Sequence, residues 1–322
     1  MSGLAGARAV VTGSAGFVGS HLVERLAGAG AAVVGVDRRP PRPGAPGCHV
    51  RLDLAEPGPA LAELLRDADV VFHLAGRAGV RGAGPGAEAA YERDNVAATE
   101  HLFAATLLPT PVVLTSSSSV YGGARPCRGN GWRPSRESDR PAPRGVYARS
   151  KLAVERLAAA RVARGGIVAV ARPFTVAGEG QRPDMALARW LAAASEGTPL
   201  PVLGGLDRAR DVTDVRDVVT ALVLLAQRGP AVVNVGTGRP RTLAEMVSAV
   251  AAAVGRPVSV AVRPAGREEP RVTRADVSRC ARRLGFVPRT DLEGVVARQL
   301  GASRAGAPGR DRARPGRVAL AG

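Results

Sequence analysis

Of the 45 cationic side chains in this 322-residue chain, one is lysine and the other 44 are arginine. Aromatic residues make up 3% and cysteines number three. Each scarcity excludes something. Cys48, Cys127 and Cys280 are widely spaced and odd in number, which suits neither a disulfide framework nor a zinc site. The four histidines, His21, His49, His73 and His101, show no ligand spacing either, so no metal is expected. No apolar run approaches the roughly 20 residues of a spanning helix, and no charged leader followed by an apolar signal segment is read at the start. A cytoplasmic protein without a membrane partner is the expectation. The formal charge of +17 suggests nucleic acid, but the arginines are scattered, aromatics are few, and no helix-turn-helix or zinc-finger spacing occurs. A bias toward Ala, Gly, Pro and Arg accounts for the charge, and no nucleic-acid partner is expected.

What is present is an alternation. Short apolar runs at 7–12, 32–37, 50–53, 70–74, 112–116 and 167–172 read as buried parallel strands. Helical stretches at 17–28, 61–66, 91–107 and 146–164 separate most of them. This order predicts an α/β fold, a Rossmann-type doubly wound parallel sheet. Beyond residue 173 the pattern loosens. Helices are expected at 184–195, 215–227 and 243–254, and strands at 201–203, 232–235 and 258–262, punctuated by glycine and proline. These pieces predict a smaller mixed α/β C-terminal substrate domain. Residues 301–322 carry five arginines and one aspartate without periodicity, and are expected to be a disordered tail.

Between the first strand and the first helix stands Gly13-Ser14-Ala15-Gly16-Phe17-Val18-Gly19. Gly13 permits the tight turn, Gly16 lets backbone approach a pyrophosphate, Gly19 allows close helix packing, and the helix start offers free N–H groups to the anion. Asp37 ends the second strand, where a carboxylate accepts from a ribose 2′-hydroxyl and repels a 2′-phosphate, which favours NAD. Arg38 and Arg39 follow directly and could take such a phosphate. Asp53-Leu54 is read either as an adenine contact or, for Asp53, as a turn cap. The domain boundaries expected are 1–174 for NAD binding with 209–236 returning to it, and 175–208 with 237–300 for substrate.

The lone lysine, Lys151, lies four residues after Tyr147 in Tyr147-Ala148-Arg149-Ser150-Lys151, which puts both on one helix face. An ammonium is a compact point charge that an arginine fork does not replace, and it can stabilise a phenolate. The run Thr115-Ser116-Ser117-Ser118-Ser119-Val120-Tyr121-Gly122 ends the fifth strand, on the side of a parallel sheet where catalytic groups gather.

With residues 12–19, His73-Leu74-Ala75-Gly76, Asn95, that serine run, Tyr147/Lys151 and Arg210-Asp211-Val212-Thr213, the chain over roughly 7–300 resembles the extended short-chain dehydrogenase/reductases, the NAD-dependent nucleotide-sugar epimerase/dehydratases. The resemblance implies an NAD cofactor held by Gly13, Gly16, Phe17, Val18, Gly19, Asp37, Arg38, Asp53, Leu54, Leu74, Ala75 and Lys151. It implies Tyr147 as base, Lys151 on the nicotinamide ribose, and Ser117 bridging to the substrate hydroxyl. A nucleotide sugar, specifically a UDP-sugar, is the implied partner, and a homodimer over the 91–107 and 146–164 helices the implied assembly. Family dehydratases carry Asp-Glu at the positions of Ser118 and Ser119, so elimination lacks its proton donor here. Arg172-Pro-Phe-Thr175-Val176 and Gly180-Gln-Arg182-Pro-Asp184-Met185, with His73 to Arg81, look like the UDP-glucuronate 4-epimerase branch. There Thr175 and Arg182 engage the sugar carboxylate, and Arg210 with Arg267 the diphosphate; Ser118 and Ser119 complete the substrate set. Ala177 and Glu179 depart from that branch. A UDP-glucuronate decarboxylase or another tailoring dehydratase or reductase is the alternative enzyme, and a non-catalytic NAD-sensing protein the alternative of another class.

Overall fold

Seven strands, β1 (Arg8–Thr12), β2 (Ala32–Asp37), β3 (Cys48–Arg51), β4 (Val70–His73), β5 (Val112–Thr115), β6 (Val168–Pro173) and β7 (Val232–Val235), form one sheet in the order 7-6-5-4-1-2-3. All six pairings are parallel. The computed structural model describes residues 3–79, 84–129 and 131–305, so Arg81 and the tail from 306 lie outside the described residues.

Strand alternation divides the sheet's apolar side chains between two faces. Ala9, Val11 and Phe72 pack with α1 (Phe17–Ala27), α7 (Val215–Arg228) and α9 (Ser278–Leu284). Val10, Val71 and Leu114 pack on the other face with α2 (Ala60–Leu65), α4 (Ala98–Ala105) and α5 (Gly145–Ala163). Each Val, Leu or Phe among them, fully buried, contributes roughly 1.5–3 kcal/mol. This is a Rossmann-type α/β fold. Its strand order reverses between β1 and β4, which opens a crevice at the carboxyl ends of those strands.

A third core joins α6 (Ala186–Glu196), α8 (Leu243–Val254) and α10 (Leu292–Ala305) through Trp190, Leu191, Met246, Val250, Val295 and Val296. The parallel pair Leu200–Leu203 and Val260–Arg263 covers it. Thr242 and Glu245 start α8 with reciprocal side-chain-to-backbone bonds, a capping box.

Three expectations change. The 91–107 helix is broken: Ala87–Tyr91 (α3) and α4 flank a π-helical turn, Glu92–Ala97. The expected third strand, 50–53, lies two residues earlier, at the half-exposed sheet edge where hydrophobic pattern is weakest. The tail does not begin at 301, because α10 runs to Ala305. Its Leu292, Val295, Val296, Gln299 and Leu300 recur at i, i+3, i+4, i+7 and i+8 and are buried, whereas Gly294 and Gly301 mask the helix in composition. Among the described residues no helix is long and apolar enough to cross a membrane.

Candidate active site

The phosphate loop is built for close approach. Gly13 has φ +71°, and a Cβ there would stand 2.7 Å from the Ala75 nitrogen. A Cβ on Gly19 would fall 2.0 Å from the Gly13 carbonyl oxygen, and one on Gly16 2.9 Å from it. Gly16 caps α1 without any side-chain hydrogen bond, so the first-turn N–H groups face the crevice unobstructed by a capping side chain. Asp37 closes the far side. Its carboxylate accepts from the Ala15 N–H at 3.1 Å and the Arg39 N–H at 2.9 Å, which ties the loop to the end of β2. Asp53 accepts from Arg93 at 2.8 Å and from the Ala55 N–H at 3.0 Å. Burial raises its pKa, but these donors more than offset that and leave it below the usual value. Asp53 therefore also caps its own turn. Arg38, half-exposed, pairs with Asp94 at 3.4 Å.

A buried polar chain runs from this loop to the α5 helix. The Thr99 hydroxyl donates to the Asn95 carbonyl at 2.6 Å, so it accepts from His73 Nε2–H at 3.0 Å. His73 Nδ1 then accepts from Thr12 Oγ1 at 2.8 Å, which itself accepts from the Ala75 N–H at 3.2 Å. The imidazole is thus neutral with its proton on Nε2. Burial, helped by the Lys151 charge, pushes its pKa down to about 3. Asn95, on the π-turn, accepts from the Arg77 N–H at 2.6 Å and donates to Ser150 Oγ at 2.8 Å. Ser150 in turn donates to the Tyr147 carbonyl at 2.8 Å.

The expected reactive groups meet at the mouth of this chain. Lys151 Nζ donates to the Thr115 carbonyl at 3.0 Å, and burial lowers its pKa to about 8. Burial raises the Tyr147 pKa, while a hydrogen bond with Ser117 and the charge of Arg182 pull it back. Arg182 thus joins Lys151, the cation expected from the sequence, among the charges around this phenol. Tyr91 lies beside Tyr147, ring centroids 6.0 Å apart. Ser117 caps a 3-10 turn, Ser118–Tyr121, and the Ser119 hydroxyl is buried without a protein partner.

Gly13, Gly16, Gly19, Asp37, Arg38, Asp53, Ser117, Ser118, Ser119, Tyr147 and Lys151 line one cavity of about 790 Å³. Thr175, Arg182 and Arg210 line it too. Arg182 grips both oxygens of Asp184, at 2.9 and 2.8 Å. Arg210 pairs with Glu269 at 3.0 Å in a nearly buried bridge. Arg267 is not brought in. The turn closed by the Glu269 N–H on the Gly266 carbonyl, 3.1 Å, leaves Arg267 exposed and presents Glu268 and Glu269 to the cavity instead.

Residues 9–236 match the family model described as the NAD dependent epimerase/dehydratase family. The chain belongs to that family. A probable UDP-glucuronate 4-epimerase of Rhizobium meliloti (strain 1021) is 30% identical, over 90% of this chain and 95% of that protein. Among solved structures, MoeE5 in complex with UDP-glucuronic acid and NAD is 40% identical, with TM-score 0.84 over 92% of this chain and 99% of that one. UDP-glucuronic acid 4-epimerase from Bacillus cereus, in complex with UDP-glucuronic acid and NAD, is 27% identical with the same TM-score and coverage. This member of the family is an enzyme of nucleotide-sugar chemistry with NAD as cofactor, and the glycine cradle and Asp37 fit that cofactor.

Sequence reasoning missed several supports of this epimerase/dehydratase site. Asp211, fully buried, accepts from the N–H groups of Thr237, Gly238 and Ala275 and from the Thr237 hydroxyl, all at 2.7–2.9 Å. It fastens three segments behind Arg210. Glu179, noted as a departure from the branch, is taken up by Arg216 at 2.6 Å and Arg298 at 3.2 Å, joining α7 and α10 to the cavity loop. The sequence had marked Asp211 as part of a motif and Glu179 as a departure, but what each holds is decided by these non-local contacts.

Proposed function

We propose that the enzyme is a 4-epimerase of a UDP-uronic acid, UDP-glucuronate in the first instance. Gly13, Gly16, Gly19 and the α1 N-terminus hold the pyrophosphate of NAD, Asp37 the adenosine ribose and Lys151 the nicotinamide ribose. When bound, NAD supplies a hydride acceptor at C4 that later returns the hydride. Tyr147 removes the proton of the C4 hydroxyl, with Ser117 orienting both hydroxyls. Once the 4-keto sugar has rotated to offer its other face to the hydride, Tyr147 gives the proton back to the C4 oxygen. Arg210 meets the diphosphate, and Ser118, Ser119 and Thr175 the sugar.

The observation that carries the reading is Arg182, a guanidinium that lines the same cavity as Tyr147 and whose charge reaches it. A planar fork suits a carboxylate bidentately, and the substrate's carboxylate would take the place that Asp184 holds on it here. Holding that carboxylate out of line with the 4-keto group would also restrain loss of carbon dioxide. No carboxylate stands in the Ser117–Ser119 turn, which disfavours elimination of water. The test is to incubate the purified enzyme with UDP-glucuronate and identify products by NMR while monitoring carbon dioxide. UDP-galacturonate without carbon dioxide is expected, and carbon dioxide release or no conversion would overturn the reading. Arg182→Ala should weaken UDP-glucuronate binding at least tenfold, about the 1.5–3 kcal/mol of a charged hydrogen bond, and spare UDP-glucose; equal losses for both sugars would refute its role.

A further inference from the structure

The serine turn is gripped at both ends by one buried ion pair. Glu155 lies on α5 one turn beyond Lys151 and two beyond Tyr147, so the three side chains share a helix face. Ser116 Oγ donates to Glu155 Oε1 at 2.5 Å. Arg172, at the end of β6, donates from Nε to Oε1 at 2.8 Å and from Nη2 to Oε2 at 2.6 Å. Its Nη1 donates to the Tyr121 hydroxyl at 2.7 Å, and the guanidinium lies 4.9 Å from the centre of that ring. The Tyr121 hydroxyl passes its own hydrogen to Asn234 Oδ1 on β7 at 2.7 Å. Ser116 precedes Ser117, and Tyr121 is the last residue of the 3-10 turn.

The Arg172 and Glu155 side chains are only 6% and 9% exposed. Removing two charges from water costs about as much as their attraction returns, so such a pair is weak evidence for stability. Its partners are better evidence for geometry. It makes no hydrogen bond to Tyr147, Lys151 or Ser117, although the Glu155 charge favours the protonated Lys151, and it connects the helix that carries the first two to the turn that carries the third. We propose that the Glu155–Arg172 pair is a positioning device for the reaction, holding the serine turn in register against the Tyr147/Lys151 helix through two handles, Ser116 and Tyr121. The inference rests on the catalytic assignment proposed above.

Ser116→Ala and Tyr121→Phe each remove one handle and leave the ion pair matched. They are assayed beside wild type and Tyr147→Phe, with whichever of UDP-glucuronate and UDP-glucose the wild type converts. A small misplacement of reacting groups costs rate and not affinity, so each handle variant should lose about tenfold or more in kcat with KM within about twofold. Thermal melting should stay close to wild type for Ser116→Ala and fall by several degrees for Tyr121→Phe, which strands Arg172 Nη1 and Asn234 Oδ1. The double variant Glu155→Gln/Arg172→Met removes both charges together and should melt near wild type while remaining slow. Wild-type kcat in both handle variants, or a double variant that recovers kcat along with its melting temperature, would overturn the proposal. Ser116→Ala deletes a single oxygen and keeps the test open should the double variant not fold. If Tyr147→Phe also keeps full kcat, the catalytic assignment itself falls; if it is inactive while the handle variants are fast, only the positioning role falls.

Discussion

His73 shows at the scale of one residue how burial becomes pH dependence. Its native pKa is about 3 against an unperturbed 6.5, so between these values the unfolded chain binds a proton that the folded one refuses. Stability therefore rises with pH across that window and is lost as pH falls from 6.5 toward 3, a span worth roughly 5 kcal/mol. His73→Gln keeps a donor and an acceptor but cannot titrate. Its melting temperature should fall less than the wild type's between pH 6.5 and pH 4, and parallel curves would show that His73 is not the group responsible. That Lys151, Tyr147 and Ser117 come together at one cavity was legible, because helical spacing sets the first two on one face and a strand end sets the third. Arg267 was misplaced, since a one-residue shift in an irregular turn decides which side chain faces inward.

At the scale of elements, the glycine loop was legible because its constraint is local. A Cβ on Gly19 would meet the Gly13 carbonyl at 2.0 Å, and backbone cannot yield there as a flexible side chain could. Gly19→Ala should displace the loop. The purified variant is expected to carry less than about a tenth of the wild-type NAD, as one displaced charge-assisted contact of 1.5–3 kcal/mol allows. Quantifying the nucleotide released on denaturation checks this, and wild-type content would contradict it. The π-turn at Glu92–Ala97 was not legible. It turns Asn95 toward Arg77 and Ser150, and nothing in a helical period announces one extra residue per turn. The helix α10 was hidden by its glycines, although its apolar spacing was there to be counted.

At the scale of the molecule, α4 and α5 lie on one face of the sheet, and Leu107, Leu108 and Val162 near their ends are 57%, 43% and 41% exposed. Large apolar side chains left outside in a group mark an interaction surface. We propose that a second copy of the chain packs there; the wild type should then sediment as a dimer and Leu108→Asp as a monomer in analytical ultracentrifugation. A wild-type monomer at micromolar concentration would refute the expectation.

Strand runs, glycine turns and helical spacing act over a few neighbours, so the parallel α/β sheet, the phosphate loop and the Tyr147/Lys151 pair follow from local sequence. Tertiary structure alone decided that Arg182 acts on Tyr147, that Glu155 and Arg172 grip the serine turn, and that Asp211 fastens three distant segments. Those contacts join groups on different elements, where burial and charge depend on distances that no local pattern encodes.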